Sequence, residues 1–262
     1  MEVKISWIQS HIEWKSPEIN LSYYEKVLKK NQALKGDIII LPECFPTGFC
    51  MNDPSIIENH PGPSLKWMQQ TASKYQCVLA GSILIHDQGR NFNRLYWVNP
   101  DGSFEQYDKI HLYTPGKEGE FFTPGNRKTI VHLRGFRFFL TICYDLRFPV
   151  WCRNVGDYDV MINVANWPSM RADHRKILLQ SRAIENQNYV IGVNRIGKDG
   201  NQLDHIGESM AIDPSGKIMV ESMNKEDFHS VILDLNTMLK YRQKLPFYMD
   251  SDKFELKLHY ED

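Results

Sequence analysis

Between Phe136 and Ile142 the chain is almost wholly apolar (FRFFLTI). The run stops on Cys143, after which Tyr144, Asp145 and Arg147 turn the sequence polar at once. Such a short apolar run reads as a strand buried on both faces. Phe148 and Pro149 follow, and proline is tolerated in the first turn of a helix. A buried strand that turns sharply into a helix with a thiol at the turn is a nucleophile elbow in outline. There the N–H groups after the cysteine and the helix N-terminus favour a thiolate and a developing oxyanion. Taken alone, the junction more often marks a small buried cysteine, and what favours catalysis lies elsewhere in the chain.

The rest of the chain reads as alternating strands and helices. Val3–Gln9 alternates as a strand. A helix opens at Ser16-Pro17-Glu18, with Ile19, Tyr23, Val27 and Leu34 expected on its apolar face and Gly36 as its stop. Asp37–Leu41 (DIIIL) is a second buried strand, and it runs into a proline-fixed loop from Pro42 to Phe49 at its carboxyl end, where α/β proteins place their chemistry. A helix over Ser64–Tyr75 precedes strands at Cys77–His86, Phe92–Val98 and Ser103–Tyr107, which deliver Asp108-Lys109-Ile110-His111. Thr114–Glu120 is glycine-rich and polar, a loop of the kind that walls active sites. Beyond the elbow, Val160–Val164 is a strand ending at Asn166-Trp167-Pro168. His174–Asn188 is the strongest helix, with Ile177, Leu178, Ala183 and Ile184 marking its apolar side. Strands at Tyr189–Asn194, Ser209–Asp213, Ile218–Glu221 and Ser230–Leu235 and a helix at Leu235–Lys244 complete the pattern. No linker or repeat interrupts it, so residues 1–262 are expected to form a single domain with 246–262 as a tail.

Composition excludes several classes. Net charge is −1, with acids and bases interspersed, so neither a nucleic-acid nor a membrane partner is implied. No apolar run approaches membrane-spanning length, and Met1–Trp14 lacks the layout of a leader. The five cysteines show neither Cys-x-x-Cys spacing nor a disulfide framework, which predicts a reduced, cytoplasmic protein without a metal site.

Glu43 in LPECFPTGF, Lys109 in YDKIHL and Cys143 in ICYDLRFP form a series, and ANWP (165–168), RAIENQNYVIGVNRIG (182–197) and GESMAIDPSGKI (207–218) extend it over nearly the whole chain. Together these blocks resemble the nitrilase (carbon–nitrogen hydrolase) superfamily, and its omega-amidase branch in particular. The resemblance implies a four-layer α-β-β-α sandwich that dimerises with a second copy, a small-molecule amide substrate, no cofactor, and Glu43, Lys109 and Cys143 as the catalytic set. It also implies a second glutamate that orients lysine and nucleophile. Glu118 and Glu120 both stand in KEGEFFTPG, and Glu118 is preferred.

The chemistry of these residue types agrees. A free thiol has a pKa of about 8.5, so Lys109 would help hold a thiolate. Glu43 would take the thiol proton, pass it to departing ammonia and then activate water. Lys109 and the N–H of Tyr144 would hold the oxyanion. Phe49 and Trp167 are candidate pocket walls. Asp145 and Arg147 are expected to be ion partners fixing the elbow, while Arg147, Arg171 and Arg175 are candidates for binding a substrate carboxylate. Arg182 and Glu185 read as a structural pair. The family often has an aromatic where Arg175 stands, a departure that bears on local packing. Cys44 and Cys50 do not match the nucleophile motif. Three activities fit: an omega-amidase acting on 2-oxoglutaramate or 2-oxosuccinamate, an N-carbamoyl amine hydrolase or nitrilase using the same triad, and a non-catalytic dimeric scaffold. The intact triad argues against the scaffold.

Overall fold

A computed structural model of the chain describes residues 1–31 and 36–258. One sheet takes β1 (Glu2–Gln9), β2 (Ile38–Ile40), the short β3 (Glu58–Asn59), β4 (Val78–Asp87), β5 (Arg90–Val98), β6 (Phe104–Asp108) and β15 (Asp227–Asp234). Its order is β15-β1-β2-β4-β5-β6, with β3 beside β4. The second takes β7 (Ile130–Leu133), β8 (Phe136–Ile142), β9 (Val160–Ala165), β10 (Tyr189–Asn194), β13 (Met210–Ile212) and β14 (Ile218–Glu221), in the order β14-β13-β10-β9-β8-β7. A separate hairpin of β11 (Ile196–Lys198) and β12 (Asp204–Ile206) stands off the second sheet.

The continuous apolar runs are explained by cover on both faces. In the first sheet Val3, Ile5, Trp7, Ile38 and Ile40 point into a core shared with the second, where Trp97 and Phe138 lie 5.2 Å apart between ring centres. Ile8, Ile39 and Leu79 point the other way, onto α1 (Pro17–Lys30) and α2 (Pro63–Tyr75). Beyond the second sheet lie α3 (Pro149–Cys152) and α4 (Ala172–Asn186), which completes a sandwich of four layers. A further helix, α5 (Leu235–Lys244), follows β15. Among the described residues no helix is long and apolar enough to cross a membrane.

Strand direction places the chemistry. β1, β2 and β4 are parallel, and so are β8, β9 and β10. β6 is antiparallel to β5, itself antiparallel to β4, so β6 runs as β2 does and the two end at the same edge of the sheet. Glu43 and Lys109 leave from those ends, and Cys143 leaves from the end of β8.

Two helix faces differ from the reading by apolar count. On α1 the buried residues are Asn20, Tyr24 and Leu28, while Ile19 is exposed; Leu34 lies outside the described residues. Asn20 turns inward because its amide bridges Glu13 and Pro46. On α4 the inner face carries Arg175, Leu179, Arg182, Ala183 and Asn186, and it leaves Ile177 and Ile184 in solvent. The elbow also differs from a direct strand-to-helix turn. Cys143–Arg147 is a 3-10 helix, and α3 after it spans only four residues.

Candidate active site

Two strand ends, carrying Glu43 and Lys109, meet the 3-10 turn of Glu118–Glu120 in one buried charge cluster. Lys109 is 1% exposed, and its Nζ donates to Glu43 Oε1 at 3.1 Å and to Glu118 Oε2 at 2.9 Å. Glu43 Oε1 also accepts from the amide of Asn93 at 2.8 Å, and its Oε2 accepts from the backbone N–H of Asn166 at 2.7 Å. Glu118 Oε2 accepts from the Tyr113 N–H at 2.6 Å. Glu120 points outward to an exposed pair with Lys117, so only Glu118 of the two glutamates belongs to the cluster. Burial pulls the ammonium of Lys109 down, but Glu118 and Glu43 outweigh it and hold the group well above the usual lysine range. Burial and the charge of Glu43 push Glu118 up despite Lys109.

Cys143 sits at φ +42°, in the left-handed region that few side chains adopt. Asp145 helps fix that bend. Fully buried, it accepts from the Ile142 N–H at 2.9 Å, the Tyr107 hydroxyl at 2.7 Å and the His111 N–H at 2.9 Å, and it pairs with His111 Nδ1 at 2.8 Å. The expected pair of Asp145 with Arg147 is therefore not formed. Arg147 instead lies over the Trp167 ring at 4.7 Å, with Nη2 at 3.4 Å from His174 Nδ1. Arg182 and Glu185 do pair, at 2.8 Å, and Arg182 also holds the Leu146 carbonyl behind the elbow. Burial and Glu43 push the Cys143 thiol well up, and Lys109 draws it back.

A cavity of about 450 Å³ opens over Glu43, Lys109 and Cys143. Phe49, Tyr144, Arg147 and Trp167 line it, as does Arg171, whose guanidinium lies 5.7 Å from the Tyr113 ring centre. Phe49 also covers Lys109 at 4.9 Å. Arg175 is absent from this wall and lies buried under α4, while Cys44 and Cys50 are buried outside the cavity.

Sequence reasoning missed Asn93, Asn166, Tyr113 and the whole β11–β12 hairpin, which closes one side of the cavity with Asn201, Leu203 and His205. The glycines and polar residues of that stretch hid two three-residue strands. Burial holds His205 down to about 4, so the folded chain refuses a proton that the unfolded chain takes near pH 6.5. The unfolded state then binds more protons between those values, and stability is lost as pH falls through that window. The fall is at most about 1.4 kcal/mol per pH unit from this group. Melting temperatures of His205→Gln and the unsubstituted chain, compared at pH 7 and pH 5, check it: the variant should lose less.

Stacked sheets between helical layers, with a glutamate, a lysine and a thiol brought together at strand ends, define a class of amide- and nitrile-cleaving proteins. The chain belongs to the carbon–nitrogen hydrolase family, whose model matches residues 4–243. Among its relatives, omega-amidase YafV of Escherichia coli (strain K12) is 37% identical over 97% of this chain and 98% of its own length. The 2-oxoglutaramate amidase of Bacillus subtilis (strain 168) is 30% identical over 97% and 99%. The crystal structure of a CN-hydrolase superfamily protein from Xanthomonas campestris superposes with a TM-score of 0.95 at 36% identity, covering 98% of this chain and 100% of that one.

Proposed function

We propose that this carbon–nitrogen hydrolase is an omega-amidase. It cleaves the terminal amide of a small dicarboxylic monoamide such as 2-oxoglutaramate or 2-oxosuccinamate through a thioester on Cys143. The observation that carries the reading is a buried Glu43–Lys109–Glu118 cluster beside a thiol, in a cavity whose wall also presents Arg147 and Arg171.

The sulfur of Cys143 attacks the amide carbon as Glu43 accepts the proton of its thiol. The oxyanion forms beside the Lys109 ammonium and the Tyr144 N–H. Glu43 returns its proton to the nitrogen, the C–N bond breaks and ammonia leaves a thioester. Glu43 then takes a proton from water, whose oxygen displaces the thiol and yields the second carboxylate. Glu118 fixes the ammonium from behind.

The remote carboxylate is assigned to Arg147 and Arg171, because an unpaired buried carboxylate is costly and both guanidiniums already lie on aromatic faces. Ammonia release should therefore favour the free acid over its remote-end ester by about 10²-fold or more in kcat/KM. Equal rates on acid and ester, or faster turnover of N-carbamoyl amines or nitriles, would replace this substrate assignment.

In the same reading the chain works in the cytoplasm as a single domain and as a homodimer. The outward Ile177 and Ile184 of α4, and Val150 on α3, supply exposed apolar side chains for a second copy.

A further inference from the structure

The sheet–helix layer behind the elbow holds a charge that the scheme above does not use. Arg175 on α4 is 2% exposed. Its Nη1 donates to the Glu208 carbonyl at 2.8 Å, whereas Nε and Nη2 are buried without a partner. Glycine at position 192 on β10 makes room for it, since a Cβ there would stand 2.9 Å from Nη2. Among the described residues no carboxylate forms an ion pair with Arg175. A guanidinium so placed is expensive unless an opposite charge forms nearby.

Strand register says which charge that is. Gly192 pairs with Asn163, and Asn163 with Thr141, so the three form one row across β10, β9 and β8. The row faces α4, because Leu179 of that helix also abuts the Gly192 position. Asn163 continues the polar line by donating to the Thr141 hydroxyl at 3.1 Å, and its Oδ1 is a second buried group without a partner. Thr141 precedes Cys143 by two residues, about 7 Å along a strand. Cys143 is the strongest of the anionic influences on Arg175, ahead of Glu208, although burial outweighs both and lowers the guanidinium to about 10.

Lys109 cannot by itself supply the positive charge that a thiolate at Cys143 needs. It is shared between Glu43 and Glu118, so with all three ionised the pocket cluster is net negative. Glu43 and Lys109 act on the thiol from the cavity they share with it, while Arg175, outside that cavity, feels the charges of Cys143 and Glu208.

We propose that Arg175 is a positioning residue, a buried counter-charge one sheet row behind Cys143 that favours the nucleophilic thiolate. It rests on the reading of Cys143 as the nucleophile. The test measures iodoacetamide alkylation of Cys143 against pH, followed by peptide mass in the full-length chain, for the unsubstituted protein, Arg175→Gln and Arg175→Lys. Glutamine can still donate to the Glu208 carbonyl without carrying charge, and lysine keeps the charge. Arg175→Gln should move the alkylation midpoint up by about one pH unit, which at neutral pH is about tenfold slower. Arg175→Lys should stay within a few tenths of a unit.

An unmoved midpoint in folded Arg175→Gln would reduce Arg175 to a clamp on the turn at Glu208 and overturn the proposal. If the glutamine variant does not fold, Arg175→Lys still decides, because a full-unit shift with the charge retained also overturns it. Amidase activity surviving in Cys143→Ala would instead sink the nucleophile assignment, an outcome the alkylation midpoints do not share.

Discussion

Cys143→Ala is expected to bring ammonia release down to background, a loss of at least about 10⁴-fold, with little change in melting temperature. The chemical half follows from the thioester scheme proposed above, in which no acyl intermediate forms without sulfur and Glu43 has no thiol to deprotonate. The stability half follows from the fold. Position 143 stays at φ +42° whichever small side chain it carries, because Asp145 holds the adjoining backbone through the Ile142 N–H. Alanine suffers the same backbone strain as cysteine there and removes only one atom from a side chain that already borders the cavity. Cys143→Ser should be nearly as inactive, since a hydroxyl requires a far stronger base than a carboxylate. Turnover by the alanine variant, measured as ammonia after removal of any trace of unsubstituted protein, would mean that another residue forms the intermediate.

The sheet framework was legible because its signal is local. The runs that end at Leu41 and Ile142 are largely apolar on both faces, and the first carboxylates after them, Glu43 and Asp145, come just past the strand ends. The four-layer sandwich itself came from family resemblance, since periodicity alone does not say how two sheets stack. Helix faces were misread for one reason in both cases: buried polar side chains do the packing. Asn20 on α1, and Arg175, Arg182 and Asn186 on α4, turn inward to bond carbonyls, so the buried face is rotated from the apolar count: Tyr23, Val27, Leu178 and Ala183 still pack on the core, while Ile19, Ile177 and Ile184 are left exposed. The carboxylate holders were illegible for another reason. Glu43 is held by the amide of Asn93, from the middle of an antiparallel strand, and by a backbone N–H at residue 166. Neither leaves any mark in composition or spacing. Glu118 was separated from Glu120 by matching a family block; in the structure the difference is that a 3-10 turn points one inward and the other out.

Glu43→Gln should separate two properties that normally fall together. Its carboxylate is one of the forces pushing the Cys143 thiol up, so removing that charge lowers the thiol midpoint and speeds alkylation of Cys143 at fixed pH. Lys109 is then left to Glu118 alone, which strengthens the same effect. Turnover should nonetheless fall by about 10²–10⁴-fold, because the amide neither carries a proton to the leaving nitrogen nor takes one from water. The geometry makes glutamine a demanding replacement. Oε1 faces donors on Lys109 and Asn93, and Oε2 faces the Asn166 N–H, so either orientation of the amide sets N–H against N–H at one end. Some loss of melting temperature is expected from that clash, and Glu43→Ala, which removes it, serves as the control for fold. The deciding comparison is the alkylation rate against kcat/KM on one preparation. Fast alkylation with failed turnover identifies Glu43 as the proton carrier, whereas turnover within tenfold of the unsubstituted enzyme would leave it only as the partner that holds Lys109.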